Sequence, residues 1–329
     1  MLSVIIERIL NLNDIEIMKK DRKVSKMEDK NQKLPSTRIQ WYPGHMAKAK
    51  RILEEDLKLI DIVIEVIDAR IPISSRNPDI DKIIKNKKRI ILLNKSDLAN
   101  EEETIKWRNK LIQSNDSAII ASALDNKKNN EILREIEKII KEKKEKESTK
   151  GRIGRITRIM VLGIPNVGKS SIINRLSGKK SLDVKNKPGV TVKKQWIRIS
   201  NNIELMDTPG ILWPKFENNE IANNLAFTGT IKNDILDNVE IAFNLLKILL
   251  EKHRINLIRT YKLNEEEINR ILENSEQQPN EKIMDVMRLI GRKRGVLISG
   301  GNIDENKMAE ILLKDFRKAK IGRITLEVI

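Results

Sequence analysis

A chain of 329 residues with 39% hydrophobic and 34% charged side chains can build two domains, one large and one small, beneath a heavily charged surface. It has no Cys, which excludes disulfide partners, thiolate zinc sites and cysteine nucleophiles, and no apolar run approaches the roughly 20 residues that span a bilayer, which argues against a membrane partner. The formal charge of +17 points to a polyanionic partner, and 3% aromatics disfavour a base-stacking platform, leaving backbone and shape contacts to folded RNA. Eighteen Lys and Arg against four acids lie between Lys138 and Arg198, so nearly all the excess sits in one stretch. A lysine-rich solvated surface is the rival reading of that stretch.

Residues 1–36 open with an apolar segment, Leu2 to Leu12, and continue into mixed charge. A mitochondrial address is nearly free of acids, whereas this stretch carries Glu7, Asp14, Glu16 and Asp21; in a secretory signal the charge would precede the apolar part. It reads as a short helix and a disordered leader, or an upstream start-site artefact. From 37 to 213 strand-length apolar runs recur as Ile60–Ile67, Arg89–Leu93, Ala118–Ala121, Ile159–Leu162, Trp196–Ile199 and Ile203–Met206. Several end directly on a polar motif, as in a doubly wound, mostly parallel α/β sheet with ligand loops at the carboxyl ends of its strands. Helical patterns lie between them at Asn129–Lys144 and Ser170–Leu176, and the charged run Lys141–Lys150 reads as a helix end or an exposed linker. After Trp213-Pro214 the alternation stops. Residues 214–329 read as a small helical domain, with apolar spacing in Val239–Leu250, Glu265–Leu272, Ile283–Ile290 and Lys307–Phe316. Turns are expected at Pro279 and Gly300-Gly301, and basic clusters occupy Gly291–Gly295 and Arg317–Lys320.

Gly163-Ile164-Pro165-Asn166-Val167-Gly168-Lys169-Ser170 has the spacing of a phosphate-binding loop and lies between an apolar strand and a helix. Glycines let successive N–H groups turn inward at a helix N-terminus, so Gly163, Asn166, Val167, Gly168, Ser170 and Ser171 would surround phosphate while Lys169 reaches the β- and γ-oxygens. The Ser170 hydroxyl is the expected Mg²⁺ ligand. Asp207, 38 residues after Lys169, opens Asp207-Thr208-Pro209-Gly210 and would hold the metal through water, with the Gly210 N–H at the γ-phosphate. Between them Pro188-Gly189-Val190-Thr191 offers the Thr191 hydroxyl to the same metal; a plain turn is the rival reading.

Asn94-Lys95-Ser96-Asp97 ends the strand Arg89–Leu93. A carboxylate at Asp97 can accept from guanine N1–H and N2–H together, a pairing adenine does not offer. Lys95 would lie along the base, Asn94 would tie the motif to the phosphate loop, and Ser122-Ala123 would present a backbone N–H to guanine O6. This base motif precedes the phosphate loop, the reverse of the ordinary order, which makes the region a circularly permuted P-loop GTPase domain followed by the small helical domain. Where signalling GTPases carry a water-orienting Gln the chain has Ile211, which cannot hydrogen-bond water. Of its two histidines, His45 in Trp41-Tyr42-Pro43-Gly44-His45-Met46 reads from the residues alone as structural, and His253 as a packing or surface residue within a helix.

Together these residues resemble the bacterial ribosome biogenesis GTPase A family from about Ile39 to Ile324. The resemblance rests on WYPGHMAKA, IDARIPISSRNP, LLNKSD, GIPNVGKS, PGVT, LMDTPGILWPKF, GRKRG and SGG. It implies a cytoplasmic enzyme that converts GTP to GDP and phosphate with Mg²⁺, in late maturation of the large ribosomal subunit, and that is stimulated by that subunit. The implied partners are the subunit precursor and its rRNA, with a monomer off the ribosome. It also implies that His45 is catalytic, orienting the attacking water in place of the missing Gln, that Asn166 supports stimulation by K⁺, and that 214–329 contacts RNA. The leader departs from the family pattern, which starts just before the Trp-Tyr-Pro-Gly-His segment.

Two readings from other classes stay open at this level. One is an RNA-binding scaffold with structural nucleotide and incidental turnover. The other is a small-molecule kinase using ATP, against which Asn94–Asp97 argues. Permutation also runs Asp207–Gly210 through Trp213-Pro214 into the helical domain, the expected route from nucleotide state to RNA affinity.

Overall fold

The computed structural model describes residues 51–84, 87–113, 117–122, 125–148, 156–178, 195–208, 219–231 and 237–329. Contacts divide the chain into one unit of Ile39–Ala242 with Ala309–Ile329 and another whose described part is Phe243–Met308.

The first unit is a six-stranded sheet. Its strands are β1 (Ile62–Asp68), β2 (Lys88–Asn94), β3 (Ser117–Ile120), β4 (Thr157–Leu162), β5 (Gln195–Ser200) and β6 (Ile203–Asp207), in the spatial order β3-β2-β1-β4-β6-β5. All neighbours are parallel except the β5–β6 pair. The doubly wound, mostly parallel architecture expected from the apolar runs is therefore the one the chain adopts. Strand order reverses between β1 and β4, and that is where an open sheet of this type leaves a crevice at its carboxyl edge.

Why these runs form strands is visible in β1, which is buried along its whole length. Ile62, Ile64 and Val66 enter one core cluster with Ile90, Leu92, Ile119, Ile159 and Val161. Val63 faces the other way, toward Leu53, Leu57, Ile80, Ile84 and Met206, while Ile67 joins Leu93, Trp107 and Leu111. Full burial of each such side chain contributes about 1.5–3 kcal/mol, so a seven-residue run covered on both faces is held in the core by its own hydrophobicity. The acid inside it, Glu65, is 1% exposed and is neutralised by Arg76 (3.1 Å) and Arg89 (3.3 Å).

Helices cover the faces: α1 (Pro78–Ile84), α2 (Glu101–Gln113), α3 (Asn126–Ser148), α4 (Lys169–Leu176) and α5 (Asn219–Phe227). In α2, Thr104, Trp107 and Leu111 make one buried stripe, and Glu101, Glu102 and Glu103 sit at the positive end of the helix dipole. In α3, Ile132, Ile136 and Ile139 make the corresponding stripe. The charged run from Lys141 continues α3 as far as Ser148, so over these residues it is a helix end.

The second unit carries α6 (Asn238–Lys252), α7 (Arg254–Tyr261), α8 (Glu265–Glu273), α9 (Pro279–Lys293) and α10 (Glu305–Arg317), with α6 and α10 crossing its boundary. Asn264 caps α8 by accepting the Glu266 N–H at 2.8 Å. Pro279, expected in a turn, opens α9 at a position where its missing N–H has no intrahelical use. His253 departs from expectation: it is not within a helix but at the one-residue break between α6 and α7, partly buried, where burial lowers its pKa. Apolar spacing runs through such a break, so periodicity cannot locate it. Gly300 and Gly301 adopt the positive φ expected of a turn, beside the bridge between Leu297 and Ile303. No helix among the described residues is long and apolar enough to cross a membrane.

Candidate functional site

Each described loop of the nucleotide motifs starts at or just beyond the carboxyl end of a strand. Asp68 ends β1, Asn94 ends β2, Ser122 follows β3, Gly163 follows β4 and Asp207 ends β6. Parallel register places Asp68 directly beside Asn94, and Val161 of β4 beside Asp207. The sheet thus gathers residues scattered from 68 to 208 onto one edge, across the point where strand order reverses.

The loop from Gly163 to Gly168 wraps into the N-terminus of α4. Its glycines are required by space as well as by conformation. At Gly163 (φ +149°) a Cβ would stand 2.5 Å from the Val66 carbonyl oxygen, and at Gly168 (φ +99°) 2.3 Å from Asn94 Nδ2. Asn166 also adopts positive φ (60°), and its Nδ2 donates to the Gly229 carbonyl at 2.8 Å. Gly168 caps α4 without any side-chain hydrogen bond, so the N–H groups of the first turn have no capping side chain. Lys169 is buried and donates to its own loop, to Gly163 O at 3.1 Å and Ile164 O at 3.0 Å. Burial pushes its pKa down to about 8, against the pull of Asp207. The Ser170 hydroxyl donates to Asp207 Oδ2 at 3.2 Å, and Thr208 anchors the same edge through Val161 O at 2.7 Å.

The base motif is tied to this loop. Asn94 Nδ2 donates to the Val167 carbonyl at 2.7 Å, while the buried Asn94 Oδ1 has no hydrogen-bond partner among the described residues. Lys95 is held at φ 58°, a left-handed conformation that costs a lysine about 1–3 kcal/mol unless its surroundings impose it. Its Nζ lies 3.0 Å from Asp68 Oδ2. Arg70 grips the same carboxylate from the other side, with Nε on Oδ1 at 2.9 Å and an Nη on Oδ2 at 2.7 Å. Burial alone would raise the Asp68 pKa, but the two cations hold it well below the usual carboxylate range. For Lys95, burial lowers the pKa and Asp68 opposes that shift. Asp97 accepts the Ser122 hydroxyl at 2.7 Å, so its carboxylate is oriented before any ligand arrives.

These features fit a nucleoside phosphate with a hard divalent cation. A glycine cradle admits no Cβ, an open helix N-terminus and Lys169 face an anion, and the Ser170–Asp207 pair offers only oxygen, which suits Mg²⁺. The structure brings together Asn94, Lys95, Asp97, Ser122, Gly163, Asn166, Val167, Gly168, Lys169, Ser170, Ser171 and Asp207. His45, Ala123, Thr191 and Gly210 lie outside the described residues, as do Ile211, Trp213-Pro214 and the leader. Sequence reasoning gave no role to Asp68 or Arg70. The signal was present: an acid at the end of a mostly apolar strand, two residues before an arginine.

Residues 158–287 match the family model described as 50S ribosome-binding GTPase. Ribosome biogenesis GTPase A of Priestia megaterium is 44% identical over 290 residues, 88% of this chain and 96% of that protein. The mouse mitochondrial ribosome-associated GTPase 1 is 31% identical over 87% of this chain and 89% of its own length. Among solved structures, GNP-bound YlqF from T. maritima superposes with TM-score 0.58 at 25% identity, covering 85% of this chain and 98% of that one. A GDP-bound YlqF structure gives TM-score 0.60 at the same identity, covering 84% and 99%. The motif set, the permuted order in which one sheet assembles it and near full-length identity of this degree agree: this chain belongs to the ribosome biogenesis GTPase A family.

Proposed function

We propose that this GTPase acts in late maturation of the large ribosomal subunit, binding pre-ribosomal rRNA in its GTP state and leaving after hydrolysis. The observation that supports the nucleotide half of this reading is the Asn94–Val167 bond, which ties the guanine motif to the phosphate loop. Asp97, oriented by Ser122, would accept from guanine N1–H and N2–H, and Lys95 would lie along the base. Lys169 would exchange its two loop carbonyls for phosphate oxygens, whose negative charge would raise its pKa again. Gly163, Asn166, Val167, Gly168, Ser170, Ser171 and Gly210 would offer N–H groups to the phosphates.

Mg²⁺, when bound, neutralises charge on the β- and γ-phosphate oxygens, and Ser170, Thr191 and Asp207 are the residues that would hold it. With Asn166 Nδ2 engaged by Gly229, its Oδ1 is the atom left to ligate K⁺. Water then attacks the γ-phosphorus and the bond to the β-phosphate oxygen breaks, releasing GDP and phosphate. Ile211 cannot orient that water, and the family resemblance assigns that role to His45.

RNA contact is assigned to 214–329, where Arg292, Lys293 and Arg294 are exposed together at the end of α9. Names of relatives that carry the ribosome, in bacteria and in mitochondria, support the partner, and the bacterial relative fits a cytoplasmic location. The test is co-sedimentation with immature large subunits in a non-hydrolysable GTP analogue and in GDP. Retention with the analogue and release in GDP is expected. Equal retention in both, or capture by small subunits alone, contradicts the reading.

A further inference from the structure

The last residues of the chain return to the loop that carries the guanine motif. Arg323 lays its guanidinium along that loop, with Nε donating to the Ala99 carbonyl at 2.8 Å and an Nη donating to the Ser96 carbonyl at 3.0 Å. Asp97 lies between those two carbonyls in sequence. The Thr325 hydroxyl oxygen accepts the Asn100 N–H at 3.1 Å, and the Leu326 N–H donates to Arg70 O at 2.8 Å. Trp107 Nε1 donates to the Glu327 carbonyl at 2.7 Å, while the Glu327 carboxylate takes the Ser74 N–H at 3.0 Å and Asn224 Nδ2 at 3.1 Å. The segment therefore bridges two loops: the one after β1, whose Asp68 holds Lys95, and the one after β2, which contains Asp97.

This matters because the Lys95–Asn100 turn is strained at Lys95. Its main-chain ties include Ser96 N–H to Ala121 O at 3.2 Å, Leu98 N–H to Lys95 O at 2.9 Å and Thr104 N–H to Asn100 O at 3.0 Å. A rigid guanidinium fork spanning two carbonyls suits the task, because one planar group fixes their separation. Discrimination by a carboxylate depends on placement within about 0.5 Å, and the fork holds main-chain carbonyls on either side of Asp97 in the chain.

We infer that Arg323–Glu327 is part of the guanine-recognition apparatus, with Arg323 a positioning residue that holds the loop presenting Asp97. This rests on the guanine site proposed above. The test uses the full chain and measures GTP, ITP and ATP binding by wild type, R323A, R323K and D97N, with a thermal melt of each. ITP lacks the N2 amino group, so the GTP-to-ITP ratio reads the placement of Asp97 directly. R323A is expected to weaken GTP binding about tenfold, one lost charged hydrogen-bond pair, and to compress the GTP-to-ITP ratio. The expected kcat at saturating GTP stays close to wild type while KM rises. R323K should fall between, since one ammonium does not span both carbonyls, and it serves as the readout if R323A fails to fold. Unchanged GTP binding in both variants overturns the inference. So does an equal loss for GTP and ITP that follows a lower melting temperature, which a merely structural tail would give. Absence of guanine preference in wild type, or no effect of D97N, sinks the site itself and the inference with it.

Discussion

Asn94 Nδ2 donates to the Val167 carbonyl oxygen at 2.7 Å, joining residues 73 apart in the chain. One belongs to the base motif and the other to the phosphate loop, and Gly168 beside them has no room for a Cβ. The two halves of nucleotide recognition are thus one body, although permutation places them in reversed order along the chain. Asn94→Ala leaves a buried carbonyl without this donor, at a cost of about 1–3 kcal/mol. Chemical denaturation should register that loss, and GDP titration should show affinity falling at least tenfold (about 1.4 kcal/mol). Full affinity in N94A would mean the bond does not organise the site.

Lys169 supplies a proton-linked prediction. Its pKa is lowered to about 8 by burial, below the ordinary lysine value of 10.5. Across that window the unfolded chain holds more protons than the folded one, so the stability of the nucleotide-free protein rises with pH from about 8 to 10.5. Phosphate beside Lys169 restores the charge. Binding of GDP at pH 8.5 should therefore take up a fraction of a proton in wild type and none in K169M, read by calorimetry in buffers of different ionisation enthalpy.

Asp97 and Ser122 separate recognition from orientation. Asp97→Asn should cost GTP affinity by roughly 100-fold or more and improve binding of xanthine nucleotides, whose O2 accepts where guanine donates. Ser122→Ala removes the 2.7 Å bond that orients the carboxylate and leaves Asp97 itself in place. It should raise the KM for GTP several-fold, about 1 kcal/mol, with kcat nearly unchanged. Equal effects in the two variants would make Ser122 a recognition residue in its own right.

His45→Ala tests the hydrolytic assignment. GTP affinity should stay near wild type while turnover stimulated by the large subunit is lost. Stimulated turnover that survives the substitution would remove His45 from the mechanism.

Much of the site was legible in the sequence because its chemistry is local. A phosphate loop needs glycines at fixed spacing between a strand and a helix, and Gly163 and Gly168 are positions where a Cβ would collide. The sheet was legible because β1 and its neighbours are buried on both faces, which leaves continuous apolar runs. What stayed hidden is non-local or lacks periodicity. Asp68 acts through Lys95 and Arg70 only once β1 and β2 are paired. Arg323 reaches Ser96 across 227 residues, a contact that no spacing rule anticipates. The break at His253 interrupts a helix without interrupting its apolar pattern. The route expected through Trp213-Pro214 lies outside the described residues.

On the proposed function, nucleotide turnover on this site answers to the ribosome. The most direct measurement is phosphate release from GTP by the purified chain, alone and with immature large subunits, in potassium and in sodium. Slow turnover alone, a rise of at least about tenfold with the subunit, and a larger rise in potassium are expected. A rate that is the same with and without large subunits would contradict the proposed function.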